Sequence, residues 1–178
     1  MHNLLKRLVD ESDELRGFLS AQSQLSLLRS AEDNSRKALV LSAASLFEHR
    51  ITEAILSYAD RASNSDGCVR SLIRNKAVKR QFHTFFDWEK KKPGPFFTLL
   101  GDDLGGKLKS DCAVSPGKEQ VEAFLEVGQL RNCLVHQNYA EFLLDKSADD
   151  IRRLCESADH FVVQVEVLLA SPESEAQQ

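Results

Sequence analysis

Between residues 31 and 62 apolar side chains return every three to four positions, as Val40, Ala43, Ala44, Phe47, Ile51, Ala54, Ile55 and Tyr58. That spacing fits one face of an α-helix and no β-strand, whose side chains alternate with a period of two. A stripe this long requires other helices to cover it. The chain supplies them. A first helix is expected over about 2–29, carrying Leu4, Leu5, Leu8, Leu15, Phe18, Leu19, Leu25, Leu27 and Leu28. Ser30, followed by Ala31, Glu32 and Asp33, reads as the cap and acidic first turn that open the second helix. Ser65 or Asp66 can cap a third helix over about 66–85, with Val69, Leu72, Ile73, Ala77, Val78 and Phe82 on its apolar side. The pattern returns over about 118–136 with Val121, Phe124, Leu125, Leu130, Leu134 and Val135. Ser147, with Asp149 and Asp150, starts a last helix over about 147–170.

Between residues 87 and 117 the periodicity fails. Pro93, Pro95, Pro116 and repeated glycines predict a long irregular loop with one short helix near 95–100. A loop of that length in a compact domain more often serves function than mere connection. The expected architecture is an all-α bundle of about five helices, packed largely antiparallel, with that loop ahead of the fourth long helix. One domain over 1–170 and a polar, disordered tail over 171–178 complete the expectation. The run GDDLGG, residues 101–106, follows no strand and lacks the Lys-Ser/Thr ending of a phosphate-binding loop.

A chain of 178 residues can bury a core without disulfides or metal. Cys68, Cys112, Cys133 and Cys155 are scattered, with no C-x-x-C pair and no histidine at zinc-ligand spacing, which suits free thiols in a reducing compartment. No apolar run approaches the ~20 residues of a membrane span, and charges interrupt the first residues where a signal peptide would be apolar. The expected location is cytoplasmic, with no membrane contact. The formal net charge is −4, yet Arg70, Arg74, Lys76, Lys79, Arg80, Lys90, Lys91 and Lys92 face only Asp87 and Glu89 over residues 70–92. Cations concentrated in an otherwise acidic chain suit a polyanion, so Arg74, Lys76, Lys79, Arg80 and the Lys90-Lys91-Lys92 run are candidate RNA contacts. Phe82, Phe85, Phe86 and Trp88 lie among them. They serve either as a stacking platform or as core, and their large apolar area favours core.

The stretch RNCLVH, residues 131–136, carries the chemistry. Asn132 and His136 are four apart and share a helix face. Arg131 lies five residues before His136, and its long side chain can swing toward the imidazole. A histidine can move a proton near neutral pH. An arginine can grip a phosphate and offset the charge that builds on it. Asn132 can orient the ring or donate to a phosphate oxygen. The plainer reading is a polar helix end, where Arg and His meet the helix dipole. In the cleft reading, Cys133, Leu134 and Val135 anchor the helix end. Glu48 stands at the edge of the apolar stripe. Either it meets solvent or it pairs with a cation such as Arg131. His49 and Glu53 are one turn apart, but with no third ligand an ordinary surface pair is the better reading, and no metal site is assigned.

RNCLVH resembles the R-x4-6-H motif of the HEPN superfamily, in its R-N-x-x-x-H form. The context is similar too, because the motif ends a penultimate long helix in an all-α chain. LSAASLFEHRITEAILSYA, residues 41–59, looks like the second helix of such domains. IRNKAVKRQFHTFFDW and NCLVHQNYAEF resemble a prokaryotic branch near the RiboL-PSP-associated type. The resemblance covers roughly residues 35–170. It implies a metal-independent endoribonuclease without cofactor, a toxin or host-defence effector, whose Arg and His line a cleft between two subunits of a homodimer. Arg131 and His136 carry over as catalytic and Asn132 as the motif's asparagine. Other members lack activity and serve as binding modules, some beside a nucleotidyltransferase. The implied partners are RNA, a second copy, and an antitoxin or another defence protein.

Overall fold

The computed structural model describes residues 1–64 and 66–171. Ser65 as a cap, and all of the expected tail except Ser171, lie outside the described residues. Seven α-helices occur among those residues: α1 (Asn3–Ala21), α2 (Leu25–Ala62), α3 (Gly67–Ile73), α4 (Gly94–Leu99), α5 (Gly101–Asp111), α6 (Gly117–His136) and α7 (Ala148–Ala170). The all-α class is as expected. The count exceeds five because the stretch expected to be a long irregular loop contains α5 as well as α4, the short helix expected near 95–100.

The core forms where α2, α6 and α7 meet. Val40, Ala43, Phe47 and Ile51 come from α2; Val121, Phe124 and Leu125 from α6; Ile151, Cys155, Phe161 and Val165 from α7. α1 covers α2 through Leu5. The Ser147 hydroxyl accepts from Asp150 N–H at 3.1 Å, and the Asp150 carboxylate accepts from Ser147 N–H at 3.3 Å, so a reciprocal cap starts α7 as its sequence predicts. Asp66 likewise caps α3, accepting from Cys68 N–H at 2.8 Å.

Packing is not antiparallel throughout. Arg36 donates to the carbonyls of Leu144 and Lys146, Arg50 to Asp159, and Arg61 to the carbonyl of Leu169. The order 36, 50, 61 against 144–146, 159, 169 means that α2 and α7 run the same way. The fork of Arg50 also reaches Glu166 at 2.8 Å through Nε. Asp159 is 5% exposed, and this guanidinium answers its buried charge.

Three expected boundaries move. The first helix ends at Ala21, and α2 already begins at Leu25, so Ser30 lies inside a helix and caps nothing. The break is made by Ser23 in a left-handed conformation, φ 55°, with no glycine or proline to announce it. The third helix stops at Ile73, passes through one π-helical turn, Arg74–Val78, and gives way to a 3-10 turn, Phe82–Thr84. Arg80, φ 61°, turns the chain between them. In α5 the glycines do not break the helix. A Cβ on Gly105 would lie 1.9 Å from the carbonyl oxygen of Phe97, so glycine here permits α5 to cross α4 closely.

Candidate functional site

The last two turns of α6 carry the motif. Leu134 is buried and holds this turn to the core, whereas Cys133 is half-buried and Val135 is 51% exposed. The helix end is thus anchored by Leu134 alone and not by all three apolar residues. Arg131 Nη1 donates to Asn132 Oδ1 at 3.1 Å, so the asparagine orients the guanidinium rather than the imidazole. His136 is exposed at the end of α6. The following Gln137 is extended, and its N–H closes on the carbonyl of Cys133 at 2.9 Å.

Arg131 and Asn132 form part of the wall of a cavity of about 270 Å³. Glu48 from α2 stands in the same wall. Among the described residues no ion pair joins Glu48 to Arg131, and the two share only the cavity wall. Arg80 and His83 close another side, and Phe82, Trp88 and Phe124 give an apolar floor. His136 lies outside this lining.

Of the candidate RNA contacts, only Arg80 reaches the cavity. Arg74, Lys76 and Lys79 are exposed on the π-helical turn and its exit. Lys90, Lys91 and Lys92 are exposed in a tight turn closed by reciprocal Asp87–Lys92 backbone bonds of 3.0 and 2.9 Å. They form a cationic knuckle on that closed turn. The aromatics are core, as their area suggested. Phe82, Phe85 and Phe86 are at most 9% exposed. Trp88 packs on Phe86 with ring centroids 4.9 Å apart, and its indole N–H donates to the carbonyl of His83 at 3.0 Å. The Trp88 ring lies against Gly128 of α6, where a Cβ would come within 2.0 Å of it.

Two residues that the sequence reading passed over pin the segment that follows His136. Lys37 is 2% exposed, although it is a lysine. Its ammonium pairs with Asp33 at 2.8 Å, donates to the carbonyl of Tyr139 at 3.0 Å, and lies 5.0 Å from the centroid of the Tyr139 ring. Arg36 holds the carbonyl of Lys146 at 2.7 Å. The only hint was a basic pair beside an apolar stripe, which usually means a solvated face.

His49 and Glu53 line a separate depression with Arg50 and Glu166. No group of three or more His, Cys, Asp or Glu that could hold a metal occurs among the described residues. No helix among them is long and apolar enough to cross a membrane. Burial pushes the Cys155 thiol up to about 12 and the Cys112 thiol up to about 11, so neither is a ready nucleophile.

No curated protein and no solved structure shows a significant match to this chain. The RiboL-PSP-HEPN family model matches residues 6–170, which include the whole of α2 to α7 and with them Arg131–His136. The chain belongs to the RiboL-PSP-HEPN family.

Proposed function

We propose that this protein is a metal-independent endoribonuclease of HEPN type, a cytoplasmic toxin or host-defence effector held in one domain over 1–170. One observation carries the reading. A guanidinium oriented by its neighbour's amide at a cavity wall and an exposed imidazole stand on the last two turns of α6. His136 would take the proton of an RNA 2′-OH as that oxygen attacks the adjacent phosphorus. The P–O5′ bond breaks, a 2′,3′-cyclic phosphate forms, and the leaving oxygen collects a proton. Arg131 would stabilise the extra charge on the phosphoryl oxygens, with Asn132 holding its plane. In a homodimer, His136 of a second copy would supply the second proton. Arg74, Lys76, Lys79 and the 90–92 knuckle would track the phosphates flanking the cut. Arg80 and Glu48 would act at the cavity itself.

The test is cleavage of mixed single-stranded RNA in EDTA. The native protein should cut, and His136→Ala and Arg131→Ala should each lose about 10²–10⁴-fold in rate. Because His136 is exposed, its variant should melt like the native chain. Equal cleavage by native protein and His136→Ala would refute the assignment. A second reading is a non-catalytic HEPN module that binds an antitoxin, a nucleotidyltransferase or another protein. It is favoured by the position of His136 outside the cavity that holds Arg131. It predicts no cleavage of any RNA and a stoichiometric complex with such a partner.

A further inference from the structure

We propose that the cavity beside Arg131 is a subsite for one unpaired guanine base of the RNA. This rests on the ribonuclease reading for the source of the base, and it adds what that reading leaves open, the nucleotide at the cut. The cavity, about 270 Å³, has room for a single base and none for a duplex. Single-stranded RNA is read in this way, with a base splayed into a pocket and bonded along its edges.

The polar groups select among the four bases. The Glu48 carboxylate is an acceptor with two oxygens. Guanine alone presents two adjacent donors to it, N1–H and the N2 amine. Uracil presents one N–H between two carbonyl oxygens, which a carboxylate repels. Adenine and cytosine each present one amine beside a lone pair. Arg80, in the same lining, is exposed and bonds to no carboxylate among the described residues. Its planar fork matches guanine O6 and N7, whereas the N6 amine of adenine would meet it donor to donor. Trp88, only half-buried, supplies apolar surface for the purine rings. The indole is fixed by its bond to His83 and its seat on Gly128, so this floor is already formed. Arg131 and Asn132 border the same space, so a base held there brings its own phosphate toward that guanidinium.

Trp88 is the sole tryptophan, so its fluorescence reports the cavity directly and without catalysis. The native protein is titrated with GMP, AMP, CMP and UMP, and with ten-nucleotide single strands of uridine that carry one guanine or none. GMP and the guanine-bearing strand should each quench Trp88 at concentrations at least about ten-fold lower than their counterparts. Glu48→Gln and Arg80→Leu should each erase that preference. Arg80 is exposed, so its variant keeps the test open if Glu48→Gln fails to fold. Equal response to all four nucleotides, no response to any, or an unchanged preference in Arg80→Leu overturns the proposal. Quenching by GMP but not by the guanine-bearing strand overturns its assignment to RNA. Mapped cleavage indifferent to guanine overturns the subsite while leaving the ribonuclease. Guanine-selective quenching with no cleavage of any RNA supports the subsite and overturns the ribonuclease.

Discussion

Replacing Gly128 with alanine pits helix propensity against tertiary packing, and the two predict opposite signs. Gly128 lies inside α6. In an isolated helix the exchange gains about 1 kcal/mol, because alanine surrenders less backbone freedom than glycine. In this protein the added Cβ would stand 2.0 Å from Trp88 Cζ3 and 2.3 Å from Cε3. No real contact is that short, so the ring must leave. Its other sides are taken by Phe82, Phe86 and Phe124, with centroids 5.8, 4.9 and 5.8 Å away, and its N–H is committed to His83. Overpacking of this kind costs about 1–3 kcal/mol. Set against the propensity gain, the net loss is about 0–2 kcal/mol, a fall in Tm of up to about 8 °C. The sole tryptophan should shift its emission to the red as the ring moves toward solvent. RNA cleavage should fall with it, because the cavity beside Arg131 loses its floor. Thermal melts, emission spectra and the EDTA cleavage assay together test the chain of reasoning. A Gly128→Ala variant with raised Tm and native emission would refute the seat of Trp88 on α6.

Two further perturbations probe what supports the motif turn. Lys37→Met keeps the length of the side chain and removes the bonds to Tyr139 and Asp33, so it should cost about 1–3 kcal/mol in denaturant melts. Amide exchange should accelerate over residues 138–146 before it does in α7, and exchange unchanged there would contradict the clamp. Asp150 is held at about 2, first by the Ser147 hydroxyl, then by Arg153 and the Ser147 N–H, against an ordinary value of 3.8. A depressed carboxyl stabilises the fold above its ordinary value, and that contribution disappears as pH falls through about 2. Ser147→Ala should therefore raise the Asp150 titration toward 3.8 and make the start of α7 fray at a higher pH, as followed by NMR.

What could be read along the chain was whatever has a local period or a local bond. The stripes of α2, α6 and α7 repeat every three to four residues, so their helicity follows without knowing their neighbours. The Ser147 cap reaches three residues, and the Arg131–Asn132 bond joins adjacent ones, so the polar character of that turn was also visible. The break at Ser23 was not, because a left-handed serine leaves no mark that distinguishes it from any other. α5 was hidden for a different reason. Its glycines look like breakers, and the carbonyl of Phe97 that makes Gly105 necessary belongs to another helix.

The site divides in the same way. The identities Arg131, Asn132 and His136 and their order on one helix were present in six consecutive letters. Their surroundings were not. Glu48, Arg80, Trp88 and Gly128 come from three separate parts of the chain, and packing alone brings them to one cavity. Lys37 is buried because a carbonyl and a ring about a hundred residues further on arrive to receive its charge. Helical period acts between residues a turn apart, so sequence order encodes it. A cavity wall, or a charge answered at long range, depends on which surfaces meet, and here that was set by the missing side chain of Gly128 as much as by any side chain present.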